Sequence, residues 1–152
     1  MKPDYKTTIA ETTKHISRVQ DLITQCIKHL VSRSTLHDQS KLEEPELTGF
    51  ATVSAKLKDL EYMSPEYKEV MVELKPTIDH HYAHNRHHPE FHPNGIRDMN
   101  LVDLIEMLCD WKAAGERHKN GDILRSIEVN QARFGYSDEI KQLLINSVPL
   151  LT

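Results

Sequence analysis

The sequence predicts an all-α protein, a bundle of about six to seven helices forming one domain over residues 1–152. Apolar residues recur at three- and four-residue steps along most of the chain, the signature of helices with one buried face. Strand-like alternation is nearly absent. The 5 glycines and 7 prolines are few and fall between the helical patterns. A chain of 152 residues suits one domain and can bury a real core without disulfides or a structural metal.

The first helix is expected from about Asp4 to Val31. Ile9, Ile16, Val19, Leu22, Ile23, Cys26, Ile27 and Leu30 make one apolar stripe along it. A short helix is expected over about 34–41, and another over about 45–60 carrying Leu47, Phe50, Val53, Leu57 and Leu60. Ser64-Pro65 reads as a cap followed by a first-turn proline, opening a helix that runs toward His81 with a break or kink at Pro76. The stretch 83–98 is polar, holds Pro89, Pro93 and Asn94-Gly95, and reads as a loop. Asn100 caps the next helix, with Asp103 at its positive end. Leu101, Leu104, Ile105, Leu108 and Trp111 supply its apolar face. Two last helices fill about 122–134 and 137–148 on either side of Gly135.

Composition narrows the function classes. Lys and Arg number 19 against 23 Asp and Glu, for a net charge of −4. That argues against a large basic face for polymeric nucleic acid, but leaves room for a nucleotide with a few phosphates. No segment approaches the run of about 18 apolar residues that spans a membrane. The N-terminus has no apolar signal core. Cys26 and Cys109 are far apart and flanked by aliphatics, so they read as reduced thiols. A cytoplasmic protein is expected, of a host cell or of something that replicates inside one.

The chemistry concentrates in the 10 histidines. Five of them, His80, His81, His84, His87 and His88, crowd into nine residues. His37-Asp38 lies upstream, His15 sits on the first helix, and Asp110 lies in an apolar helical run. Imidazole and carboxylate are the ligands divalent transition metals take in water-activating sites. An aspartate beside a core stripe is costly unless it is paired or binds a cation.

These elements, in this order, resemble the HD-domain superfamily of metal-dependent phosphohydrolases. "HISRVQDL" is similar to the first-histidine helix of that superfamily. "LHDQSK" is similar to its HD-x-GK segment, with Ser40 in place of glycine. "LIEMLCDWKAAG" is similar to its later aspartate helix. The text also resembles a small HD-like family found in phages and bacteria. The resemblance implies that His15, His37, Asp38 and Asp110 ligate one metal, with Asp38 bridging if a second ion binds. It adds His80 and His81 as a histidine doublet for a second metal. Adjacent helix residues point about 100° apart, so only one of the two is expected to face the ion. Glu11, one turn before His15, joins the candidate ligands. Because no histidine occurs over residues 39–79, one metal is expected rather than two.

The implied reaction is hydrolysis of a phosphoester or phosphoanhydride of a small nucleotide, either a deoxynucleotide or a nucleotide signal. Asp38, Lys41 and His81 are the expected catalytic groups. Lys41 and Arg18 are placed to meet phosphate. His84, Arg86, His87 and His88 read either as substrate-binding or as a solvated loop. The ligand set fits Mn, Fe, Co, Ni and Zn alike. Trp111 reads as core, His29, His92 and His118 as surface, and Asn130 and Arg133 as a solvated helix face. A non-catalytic metal-binding module and a degenerate HD interaction protein stay open as alternatives, and amphipathic late helices allow a homodimer.

Overall fold

The computed structural model describes residues 4–57, 64–117 and 120–151. Among these it holds six α-helices and no strand: α1 Tyr5–Leu36, α2 Glu46–Leu57, α3 Pro65–His84, α4 Leu101–Glu116, α5 Ile123–Phe134 and α6 Asp138–Ser147. The all-α expectation is borne out. Leu60 and His118 lie outside the described residues. The chain divides into two compact units, Met1–Thr35 and Leu36–Thr152. None of the described helices is long and apolar enough to cross a membrane.

The first unit is helix α1. Asp4 opens it, its Oδ1 accepting from Thr7 N at 3.1 Å. The helix runs to Leu36, five residues further than its apolar stripe suggests. Ser34 and Thr35 do not stop it, because their hydroxyls donate back to the Val31 carbonyl at 2.8 and 3.0 Å. No described side chain of α1 is buried.

In the second unit the chain turns sharply at Asp38, which adopts the left-handed conformation (φ 56°, ψ 15°). Aspartate tolerates that region better than most residues. The short helix expected over 34–41 is therefore replaced by a turn and a 3₁₀ segment at Gln39–Leu42. α2 packs against α3. Val53, Val70 and Leu74 form a small core there, with Phe50, Met71 and Ile78 against it. A Cβ at Gly49 would lie 2.0 Å from Thr77 Oγ1, so glycine lets the two helices approach this closely. α3 runs on through Pro76 to His84.

The segment after α3 is not an open loop. Two 3₁₀ turns, Pro89–Phe91 and Gly95–Asp98, fold it tightly, and Asn85, His87, Pro89, His92 and Ile96 are buried. His92, expected at the surface, bonds the Arg86 carbonyl at 2.9 Å. α4 starts with a full capping box. Asn100 Oδ1 accepts from the N–H groups of Val102 and Asp103, and the Asp103 carboxylate accepts from Asn100 N. α4, α5 and α6 close over the larger core of Ile96, Leu104, Met107, Leu108, Ile127, Tyr136 and Leu144. Trp111 stacks on Phe134 at the edge of this core.

Candidate metal centre

Four parts of the second unit converge on one point. The turn after α1 brings His37 and Asp38. The last turns of α3 bring His81. The folded segment after α3 brings His87 and His88, and α4 brings Asp110. Two groups of ligand atoms are close enough to hold an ion: Asp38, His81, His87 and His88, and His37, His87 and Asp110. His87 belongs to both.

The Nδ1 sides of four rings, three of them in the ligand groups, are tethered. Glu106, one turn before Asp110 on α4, faces His37 Nδ1 at 2.9 Å and His87 Nδ1 at 3.2 Å with the same Oε1. Glu46, in the first turn of α2 and fully buried, faces His81 Nδ1 at 2.8 Å with Oε2 and His80 Nδ1 at 2.8 Å with Oε1. Carboxylates accept, so each of these Nδ1 atoms donates to its tether, and the Nε2 side of each ring points away from it. Ser40 Oγ donates to Glu46 Oε2 at 2.9 Å, and Asn85 Nδ2 donates to Ser40 Oγ at 2.7 Å. Ser40 thus fixes the tethering carboxylate.

The freed Nε2 atoms face carboxylates and one another. His81 Nε2 lies 3.3 Å from Asp38 Oδ1, and His87 Nε2 lies 3.5 Å from the same oxygen. His37 Nε2 lies 3.5 Å from Asp38 Oδ2 and 3.7 Å from Asp110 Oδ1. His88 Nε2 comes within 3.0 Å of His81 Nε2. Asp38 Oδ1 and His87 Nε2 are buried and make no hydrogen bond. Buried polar atoms without partners cost free energy unless something positive sits among them. A nest of acceptors around one point fits a cation.

Electrostatics agrees. The carboxylates of Asp110 and Glu106 raise the His37 imidazole to about 10 in the metal-free protein. Burial pushes Asp38 upward, but His81 and Lys41 outweigh it and hold the carboxyl well below its usual range. Burial also raises Asp110, and His37 more than offsets it. His88 is pushed down to about 3, first by burial and then by its neighbours His87 and His81. Its ring is thereby held in the neutral form. The His81 and His87 side chains are almost wholly buried, whereas those of His37, Asp38 and Asp110 are 30, 22 and 26 % exposed. The centre is closed on the α3 side and open along the His37–Asp38–Asp110 edge.

A family model matches residues 4–149, nearly the whole chain. The chain belongs to DUF5662, a family of unknown function. No curated protein and no solved structure matches this DUF5662 chain.

The remaining candidates of this DUF5662 protein fall as follows. Lys41 Nζ donates to Asp38 Oδ2 at 2.6 Å and sits over the Phe50 ring, at the partly open edge. His80 is turned to Glu46 and stacks on His84, so of the doublet it is His81 that joins the ligand group. His84 is exposed and bonds the His80 carbonyl. Arg86 grips buried Asp103 through Nε and Nη2 at 3.2 and 2.9 Å and lies over Phe91, a structural pairing. Arg133 reaches Glu90 at 2.6 Å. Both ligand groups consist of second-unit residues. His15, Glu11 and Arg18 stand exposed on α1, in the first unit.

Glu46, Glu106 and Asn85 are absent from the sequence reading. A carboxylate on a helix ordinarily reads as a solvated face. The signal for Glu106 was its place one turn before Asp110, which puts both on one side of α4. Glu46 and Asn85 carried no such signal.

Proposed function

We propose that the protein is a metal-dependent phosphohydrolase acting on a phosphoester or phosphoanhydride of a small nucleotide. The observation that carries the reading is the convergence of four histidines and two aspartates with three rings tethered at Nδ1 by the carboxylates of Glu46 and Glu106. His37, Asp38, His81, His87, His88 and Asp110 would hold the ion. A divalent ion held there supplies a water of lowered pKa and a positive centre for a phosphoryl oxygen. Mn, Fe, Co, Ni and Zn all suit this donor set.

The protein's own residues do the rest. Glu46 and Glu106 fix ring orientation, as carboxylates behind metal-binding histidines do. Lys41, 38 % exposed beside Asp38, meets the anionic phosphate. The open His37–Asp38–Asp110 edge admits substrate, while the buried His81–His87 side excludes bulk water. The phosphate chemistry and the nucleotide rest on the resemblance to HD-domain enzymes; the metal rests on the residues. In this reading the protein works in the cytoplasm of a cell or of a phage-infected host.

The test is turnover. Purified protein loaded with Mn, Co, Ni or Fe is incubated with deoxynucleoside mono- and triphosphates and cyclic nucleotides, and phosphate release or ring opening is measured. Turnover is expected with at least one nucleotide, and at least a 100-fold loss with Asp38→Ala. Full metal loading without turnover on any nucleotide favours the second reading, a non-catalytic metal-binding module. The nearly closed quartet of Asp38, His81, His87 and His88 is the observation behind that second reading.

A further inference from the structure

Two histidines on α3 stand outside both ligand groups and still face each other. His80 and His84 lie four residues apart, so one side of the helix carries both. Their rings stack, with centroids 4.0 Å apart and planes 18° from parallel. Each ring is held at Nδ1 by its own acceptor. Glu46 Oε1 accepts from His80 Nδ1 at 2.8 Å, and the His80 carbonyl accepts from His84 Nδ1 at 2.7 Å. A carboxylate or a backbone carbonyl behind one ring nitrogen is the support that metal-binding histidines ordinarily have, and it turns the other nitrogen outward. Glu46 is fully buried, so the exposed part of the His80 ring, 33 % of its side chain, is the part opposite that carboxylate. His84 is exposed. Burying a carboxylate is costly, and one of the two Glu46 oxygens is committed to a ring outside the centre.

We propose that His80 and His84 form an outer metal site, separate from the centre, that takes one divalent transition ion through their two Nε2 atoms. Zn, Ni and Cu suit it, because imidazole is a nitrogen ligand they favour. Mg and Ca, which take oxygen, do not. With bonds of about 2.0–2.1 Å, two nitrogens on one ion stand roughly 2.9–3.3 Å apart. The stacked rings, 4.0 Å apart, reach that span by closing about 1 Å at their tips. Two protein ligands leave the other positions to water, so the ion exchanges readily with solvent. It is not a second ion inside the centre, because neither ligand group contains His80 or His84. The two sites are nonetheless linked. Glu46 holds His80 with Oε1 and His81 of the centre with Oε2, so an ion on His80 fixes the carboxylate that orients His81.

Zinc titrated into the metal-free full chain tests this, followed by calorimetry and by NMR of isotope-labelled histidine side chains. Two steps are expected, the centre filling first and the outer pair second. His84→Ala removes an exposed side chain and one of the two outer ligands. The second step should then weaken at least about tenfold, no less than the loss of a carboxylate behind a metal-binding histidine, while the first stays within about twofold of wild type. The NMR readout needs no variant that perturbs the fold: the Nε2 resonances of His80 and His84 should shift in the second step and not in the first. Failure of the centre reads differently. A chain that lacks the first step but keeps the step that depends on His84 has the outer site without the centre, and upholds the inference. A second step unchanged in folded His84→Ala, no second step in the wild type, or unmoved Nε2 resonances of His80 and His84 overturns it.

Discussion

One carboxylate oxygen, Oε1 of Glu106, faces Nδ1 of both His37 and His87, at 2.9 and 3.2 Å. Glu106→Gln removes the charge and leaves one carbonyl oxygen for two N–H donors. Loss of a carboxylate behind a metal-binding histidine typically costs 10- to 100-fold in metal affinity. Two ligand rings lean on Glu106, and one of them, His87, belongs to both ligand groups. The expected loss therefore sits at the upper end, about 100-fold, or about 2.7 kcal/mol. Glu46 tethers a single member of the groups, His81, so Glu46→Gln is expected to cost about 10-fold, or about 1.4 kcal/mol. The assay is competition for Zn or Mn against a chelating dye, with far-UV circular dichroism to verify the fold of each variant. An affinity within about threefold of wild type for folded Glu106→Gln would refute the tethering argument. So would a larger loss from Glu46→Gln than from Glu106→Gln.

Metal uptake is expected to release a proton. Asp110 and Glu106 hold His37 protonated up to about pH 10 in the metal-free protein, and a ligand nitrogen must be bare. Apparent affinity should rise by up to tenfold per pH unit between about pH 7 and 9, and calorimetry in buffers of different ionisation heats should show release of about one proton. For the metal-free fold the sign is opposite. The His37 contribution is fully present below the ordinary histidine range and is lost as pH rises toward about 10, which a pH series of urea unfolding detects. Gly49→Ala is expected to destabilise by about 1–3 kcal/mol through contact with Thr77, and Thr77→Ala in the same chain should recover much of the loss. Additive losses would contradict that contact. Asn100→Ala removes the α4 cap and should cost about 1 kcal/mol in the same urea experiment, while Asn100→Gly should cost only a few tenths.

Much of the fold was legible in the residues, for local reasons. Asn100 caps α4 as its sequence signals, Asp122 and Ser137 cap α5 and α6 at the expected starts of those helices, and Gly135 between them takes the left-handed turn that ends α5. The apolar period showed α1 but not its end, because Ser34 and Thr35 bond back into the helix instead of terminating it. The His37-Asp38 turn read as a helix because an aspartate in the left-handed region leaves no trace in periodicity.

The candidate centre divides the same way. His37, Asp38, His81 and Asp110 stood out because their residue types and order form a pattern. His87 and His88 did not separate from a solvated loop, since proline- and asparagine-rich text reads as open chain. Here tight 3₁₀ turns fold that text inward and bury His87. Arg86 looked like a phosphate ligand until its buried partner, Asp103, was seen seventeen residues away. Long-range partners of this kind are set by packing, which no local pattern encodes.

His87 offers the most direct test of the centre, because it is the one residue common to both ligand groups. Metal content per chain, measured after equilibration at a fixed free concentration of Zn or Mn, should be stoichiometric in the wild type. In folded His87→Ala it should fall at least about tenfold. Equal metal content in the two proteins would contradict the centre proposed for this chain.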